Sequence, residues 1–139
     1  MANRIKIKKG LQIPLLGKPE EVLRGEVKSE FVKVCPEDFH GITPKLAVKV
    51  NDAVKAGSPL FYEKNHPEML FASPVSGVVT AVERGEKRRI LNITIQADKE
   101  IQYSELGQKN PSTLSAEAVK QAILDSGIWF LIKQRPYDI

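Results

Sequence analysis

The chain has 139 residues, of which 42% are apolar, with a formal net charge of +4 and nine prolines and nine glycines. That length holds one domain, or one domain with part of a second, and the apolar content suffices for a packed core. Its basic residues are spread along the chain instead of gathered on one helix, so no nucleic-acid partner is expected.

The single cysteine, Cys35, excludes an intrachain disulfide and suits a reducing compartment. No apolar run approaches the length needed to cross a bilayer, and the charged N-terminus lacks the apolar core of a signal peptide. A cytoplasmic chain is expected.

Residues Ile5 to Lys9 alternate apolar and basic side chains, the period of a strand with one buried face. From Gly10 to Pro19, two prolines and two glycines suit an extended arm lying across a neighbouring surface. Phe31 to Cys35 alternates again and reads as a strand ended by Pro36. Residues Phe39 to Pro44 lead into the central stretch. His40 has no second ligand at metal spacing, and Cys35 has no His-plus-carboxylate pattern to activate it. Both are read as structural, with Cys35 a buried, inert thiol.

The stretch from Lys45 to Ile95 organises the rest. Its first half runs from Leu46 to Val50 as a strand, turns at Asn51-Asp52, and continues through Ala53 to Tyr62 with Gly57 as punctuation. The second half runs from Pro74 to Val82, turns at Arg84-Gly85-Glu86, and ends in Ile90 to Ile95. Sliding one half onto the other places Val48 on Val82, Asn51 on Gly85 and Asp52 on Glu86, a weak internal repeat. Asn51 and Gly57 are expected to supply turn conformations open to few residues, and Gly77 to let a strand bend tightly.

The second turn carries Arg84, Lys87, Arg88 and Arg89, a set of cations suited to an acidic partner surface or lipid headgroups. Two of the arginines are adjacent. On a strand one of them would face inward or onto a sheet edge, where it needs a carboxylate or a row of carbonyls.

Past Asp98 a polar connector, framed by Asp98-Lys99-Glu100 and Gln108-Lys109-Asn110-Pro111, leads to a helix with Ser115 as N-cap and Gly127 as its stop. Ala118, Val119, Ala122 and Ile123 form its apolar face. The run Ile128 to Ile132, with Trp129 and Phe130, follows and is expected to find much of its packing outside this chain. Paired carboxylates, a metal-ligand cluster, a nucleophile triad and a phosphate loop are all missing from the sequence pattern, so no catalytic, cofactor-binding or metal residue is assigned.

Residues Val48 to Leu60, followed by Ser73-Pro74-Val75-Ser76-Gly77-Val78-Val79, are similar to the biotinyl and lipoyl carrier domains, which are flattened barrels of two four-stranded sheets. In those carriers a lysine at the tip of the hairpin before the Ser-Pro stretch takes the prosthetic group. The matching position here is His66, whose imidazole cannot form that amide, and Lys64 lies two residues off the tip. The resemblance therefore implies the fold without the modification, and Asn65-His66-Pro67 reads as a polar turn.

A second resemblance covers nearly the whole chain. Ile5-Lys6-Ile7-Lys8-Lys9-Gly10-Leu11, Asp38-Phe39-His40-Gly41-Ile42-Thr43-Pro44-Lys45, Ser73-Pro74-Val75-Ser76-Gly77, Arg84-Gly85-Glu86-Lys87-Arg88-Arg89 and Gln134-Arg135-Pro136-Tyr137 together resemble the N-terminal part of the A subunit of the bacterial sodium-translocating NADH:quinone reductases. The resemblance implies a peripheral subunit on the cytoplasmic side of the bacterial inner membrane, without a covalent cofactor and placed at the quinone end of the reaction. NADH, flavins and ubiquinone would then belong to the whole complex, with its other subunits as partners and ubiquinone as a possible ligand of the full-length subunit.

The helix and its Ser-Gly exit are also similar to the opening of the flavin module in the NADH-oxidising subunit of respiratory complex I. There a glycine-rich loop approaches the flavin phosphate, whereas here the same place holds bulky residues from Ile128 to Lys133, so neither flavin nor nucleotide is expected.

The expected architecture is mainly β. It is a biotinyl/lipoyl-like barrel-sandwich hybrid with an extended N-terminal arm, followed by a C-terminal helix that begins a truncated α/β region. The expected divisions are 1–44 for the N-terminal strand and arm, 45–97 for the barrel core, and 98–139 for the connector, helix and start of the next domain. Two functions of different class fit: a docking and scaffold domain of the respiratory sodium pump, with Arg84, Lys87, Arg88 and Arg89 as the contact, or a stand-alone carrier or interaction module without a redox role. An added mass on Lys64 would mark the second.

Overall fold

The computed structural model describes residues 10, 16–23, 25 and 28–134. The expected strand at Ile5 to Lys9 lies outside them, as does much of the expected arm.

Among the described residues, seven strands and one α-helix follow in chain order: β1 (Phe31–Val34), β2 (Pro44–Leu46), β3 (Ala53–Val54), β4 (Pro59–Glu63), β5 (Leu70–Ala72), β6 (Gly77–Arg84), β7 (Ile90–Ala97) and α1 (Ala116–Asp125). They form a four-stranded sheet in the order β1-β7-β6-β3 and a three-stranded sheet in the order β2-β4-β5. Every pairing between these strands is antiparallel. The long hairpin β6–β7 runs in register from Gly77 opposite Ala97 to Arg84 opposite Ile90, with irregularities at Val79/Ala81 and Glu83/Arg84. Such bulges add twist and let one strand pair curl around a core.

The core lies between the two sheets. Leu60, Phe61, Phe71, Val79, Ile93 and Ile95 are all but inaccessible to solvent, joined by Val48, Val54 and Ile90. Phe61 and Phe71 stack with ring centroids 4.6 Å apart, while Phe39 meets both edge-on at 5.7 and 4.8 Å. Offset and edge-on contacts of this kind add to the burial of the rings.

Backbone conformation at three positions determines the path of the chain. Asn51 adopts φ 76° and Gly57 φ 98°, as their residue types lead one to expect. At Gly77, φ is 153° and an added Cβ would sit 1.9 Å from the Gln96 carbonyl oxygen, so the glycine lets the β7 backbone come close.

The first half of the central stretch departs from the expected pattern. Its strand ends at Leu46, and beyond Ala47, whose N–H still donates to the Leu60 carbonyl, Val48 to Val50 leave the β2-β4-β5 sheet. The Lys49 N–H donates to the Asp52 carboxylate at 2.7 Å and the Asn51 N–H to the Val79 carbonyl at 2.8 Å, so a side-chain-closed turn takes the groups a strand would need. The internal repeat is not mirrored in the backbone either. Asn51 is left-handed, whereas Gly85, its counterpart, has φ −93°, and in the second turn Lys87 and Arg88 are the left-handed residues.

The connector does more than link. Ala56 and Tyr103 form a parallel bridge, with Ala56 N–H donating to the Gln102 carbonyl and Ser104 N–H to that of Ala56, at 2.9 and 2.8 Å. The Gln102 N–H also donates to the buried Ser76 hydroxyl at 2.9 Å. Beyond it, the Ser115 hydroxyl accepts the Ala118 N–H at 3.2 Å, and Gly127 with φ 69° ends α1. Ala118, Val119, Ala122 and Ile123 are half-buried as expected, and Leu124 beside them is the fully buried residue of the helix. An added Cβ at Gly127 would lie 2.9 Å from that of Ala72, so the helix exit rests directly on β5. Among the described residues, no helix is long and apolar enough to cross a membrane.

Candidate partner-docking site

The four cations read from the sequence meet at one end of the β6–β7 hairpin. Gly85 N–H donates to the Arg89 carbonyl at 2.8 Å and closes the loop, within which Glu86–Arg88 makes one 3-10 turn. Lys87 and Arg88 stand at φ 53° and 63°, a left-handed pair without glycine. Each such residue costs roughly 1–2 kcal/mol, offset here by hydrogen bonds across the turn. Arg84 Nη1 donates to the Arg88 carbonyl at 3.1 Å. Arg89 Nε meets Glu37 Oε1 at 3.1 Å, tying the turn to the 3-10 segment Pro36–Asp38 after β1.

The inward arginine expected of an adjacent pair is not found. Arg84, Lys87, Arg88 and Arg89 are all exposed. Strict alternation of faces belongs to a strand, whereas Arg88 lies on a turn whose left-handed residues leave both side chains in solvent. On the exposed surface, Arg84 meets a single carbonyl and Arg89 a single carboxylate.

Opposite the turn lies β2. Between them is an open cleft of ≈ 420 Å³, with Thr43, Pro44, Lys45 and Leu46 on one side and the four cations with Ile90 on the other. Lys45 thus adds a fifth positive charge that the sequence pattern did not connect to the turn. Among the described residues, Lys45, Arg84, Lys87 and Arg88 make no ion pair, so four of the five cations lack a carboxylate partner, Arg84 having only the Arg88 carbonyl.

One strand pair away, Glu83 is exposed, and its carboxylate accepts from Asn92 Nδ2 at 2.7 Å and faces Lys33 Nζ at 3.5 Å. The Asn92 hydrogen bond, followed by the charge of Lys33, holds its carboxyl below the ordinary range.

The hairpin tip that carriers modify is occupied by His66, as expected. His66 N–H donates to the Glu63 carbonyl at 3.2 Å and Met69 N–H to the His66 carbonyl at 2.9 Å, making the tip two overlapping turns. The buried Glu63 carboxylate anchors it by accepting from the N–H groups of Asn65, at 3.0 Å, and Thr43. His66 Nδ1 lies 3.5 Å from Glu68 Oε1 in solvent. Lys64 donates its backbone N–H to the Thr43 carbonyl at 2.9 Å and so belongs to the strand margin. The sequence pattern missed Glu63, whose signal was only an acidic residue closing an apolar strand.

His40 is exposed, while Cys35 is half-buried where full burial was expected, because it lies between the end of β1 and the 3-10 turn Pro36–Asp38. Among the described residues, no group of three or more His, Cys, Asp or Glu side chains could hold a metal ion. A second, larger cavity of ≈ 820 Å³ lies between the hairpin tip and the segment Trp129–Leu131. Its floor is aromatic: Phe130 meets Phe39 at 4.9 Å and Phe71 at 5.5 Å. Part of the C-terminal apolar run is therefore packed within this chain, while Ile128, Leu131 and Ile132 stay exposed.

Two antiparallel sheets wrapped around an aromatic core, with His66 in the β4–β5 hairpin, define a barrel-sandwich hybrid. Residues 5–98 match the family described as the NqrA N-terminal barrel-sandwich hybrid domain, and the chain belongs to that family. Among its relatives are the A subunits of Na(+)-translocating NADH-quinone reductases from three bacteria. Those of Haemophilus influenzae (strain PittEE) and Pseudomonas aeruginosa (strain UCBPP-PA14) are each 37% identical over 135 residues. That of Neisseria meningitidis (strain DSM 15465 / Z2491) is 39% identical over 136 residues. In each case the match covers 96% of this chain, which spans about 30% of the length of the curated relatives.

Proposed function

We propose that the chain is the N-terminal part of a peripheral subunit of a respiratory sodium-pumping NADH:ubiquinone oxidoreductase and serves there as a docking and scaffold domain. The names of the relatives support the assignment to that complex. In this reading the domain sits on the cytoplasmic side of the bacterial inner membrane and carries no covalent cofactor. NADH, flavins and ubiquinone belong to the whole complex, with ubiquinone a ligand to be sought in the full-length subunit. The division into an arm at 1–44, a barrel at 45–97 and the start of a further region at 98–139 belongs to the same reading.

The observation that carries the docking role is the cleft beside Arg84, Lys87, Arg88 and Arg89, where, among the described residues, five cations gather and only Arg89 meets a carboxylate. Holding like charges together costs free energy that an acidic surface on a neighbouring subunit would recover. Reversing Lys87 and Arg88 to Glu in the full-length subunit, and measuring how much of the other subunits co-purifies with it, tests this directly.

A further inference from the structure

The cleft is bordered by an open strand edge as well as by cations. Among the described residues, β2 is the outermost strand of its sheet. Ala47 N–H donates to the Leu60 carbonyl, and the Thr43 carbonyl accepts the Lys64 N–H, both at 2.9 Å, so positions 43 and 47 face β4. In an antiparallel ladder the bonding positions recur every second residue, which turns the backbone groups of Pro44 and Leu46 away from β4. Proline has no N–H to offer. The open edge thus presents the Leu46 N–H and C=O and the Pro44 C=O, beside Lys45 and the basic turn.

We propose that this cleft takes an extended acidic segment of a partner protein, which adds a strand to β2 while Lys45, Lys87 and Arg88 engage its carboxylates. The inference rests on the docking reading of the basic turn and names the form its partner takes. Main-chain bonds supply affinity in strand addition and side-chain pockets supply selection, and here the selecting groups are cations. A second copy of this chain is a poor occupant, because pairing two β2 edges would bring two Lys45 residues and two basic turns together. Pro44 and Lys45 on the edge are also the residues that discourage indiscriminate strand pairing, leaving an acidic strand as the one that gains.

The probe is a short synthetic peptide of alternating Glu and Val, with a Lys–Val twin as control, titrated into the intact protein by fluorescence anisotropy while amide hydrogen exchange is read at Leu46. The acidic peptide should bind, weaken roughly tenfold on Lys87→Glu with Arg88→Glu, and slow exchange of the Leu46 amide roughly tenfold at saturation. The exchange reading needs no variant, so it stands even if the double substitution folds poorly. Binding of the acidic peptide with Leu46 exchange unchanged overturns strand addition while leaving the basic turn as a docking surface. Equal binding of the Lys–Val twin overturns selection by charge. Protein captured by phosphatidylglycerol vesicles but not by the peptide assigns the cleft to a membrane surface and overturns the proposal. The docking reading itself fails only if charge reversal leaves assembly of the complex intact.

Discussion

Arg89 reaches back to Glu37, Nε to Oε1 at 3.1 Å, and so fastens the β6–β7 turn to the segment that follows β1. Both side chains are roughly half-exposed or more, so solvent screening limits the pair to about 1 kcal/mol or less. A double-mutant cycle on Glu37→Ala and Arg89→Ala, followed by urea denaturation, should give a coupling energy within that bound. A larger coupling would mean that the turn is held as part of the core.

Gly77 should tolerate no side chain. Gly77→Ala places a methyl group 1.9 Å from the Gln96 carbonyl, a backbone atom that cannot swing aside, so β6 and β7 must part at their most regular end. A loss of about 2–4 kcal/mol is expected, read as a shifted urea midpoint. Gly41, with open space around its Cβ position, provides the contrast, its Ala variant bearing only the strain of φ 76°.

Those contrasts show which parts of the fold were legible. Asn51, Gly57, Ser115 and Gly127 announce turns, a cap and a stop because their backbone and side-chain chemistry acts on near neighbours. Val48 and Val50 were misleading. Their β-branched side chains favour a strand, but Asp52 captures the Lys49 N–H locally, and that capture leaves no mark in hydropathy. At the site, the four cations of the turn were visible as a run, whereas Lys45 and Glu37 join them only through the folding of β2 and of the segment after β1. The buried carboxylate of Glu63 was hidden for a similar reason, since its partner Thr43 lies on the far side of a strand pairing.

The Glu83 carboxyl should titrate below the ordinary glutamate value of 4.5, first through the Asn92 hydrogen bond and then through Lys33. A lowered folded-state pKa contributes stability above the unfolded-state value, and that contribution is lost as pH falls through the folded-state value. Carboxyl NMR titration should show the lowered midpoint, and Asn92→Ala should move it back up. A midpoint unmoved by Asn92→Ala would assign the shift to Lys33 alone.

Intact mass of the protein expressed in a bacterial host should equal the unmodified chain, because the hairpin tip holds His66 and Lys64 stands two residues before it, at the strand margin. Biotin or lipoate found on Lys64 would move the chain to the carrier class.

The central claim is that the basic turn is a contact between subunits. Its most direct measurement is co-purification of the other subunits with the full-length protein carrying Lys87→Glu and Arg88→Glu. Each exposed pair contributes up to about 1 kcal/mol, and reversal replaces attraction with repulsion, so association should weaken roughly ten- to a hundredfold, less so as salt rises. Folding should be nearly unchanged, since exposed substitutions of this kind move stability by about 0.5 kcal/mol or less. Assembly that proceeds undiminished at low salt would contradict the account.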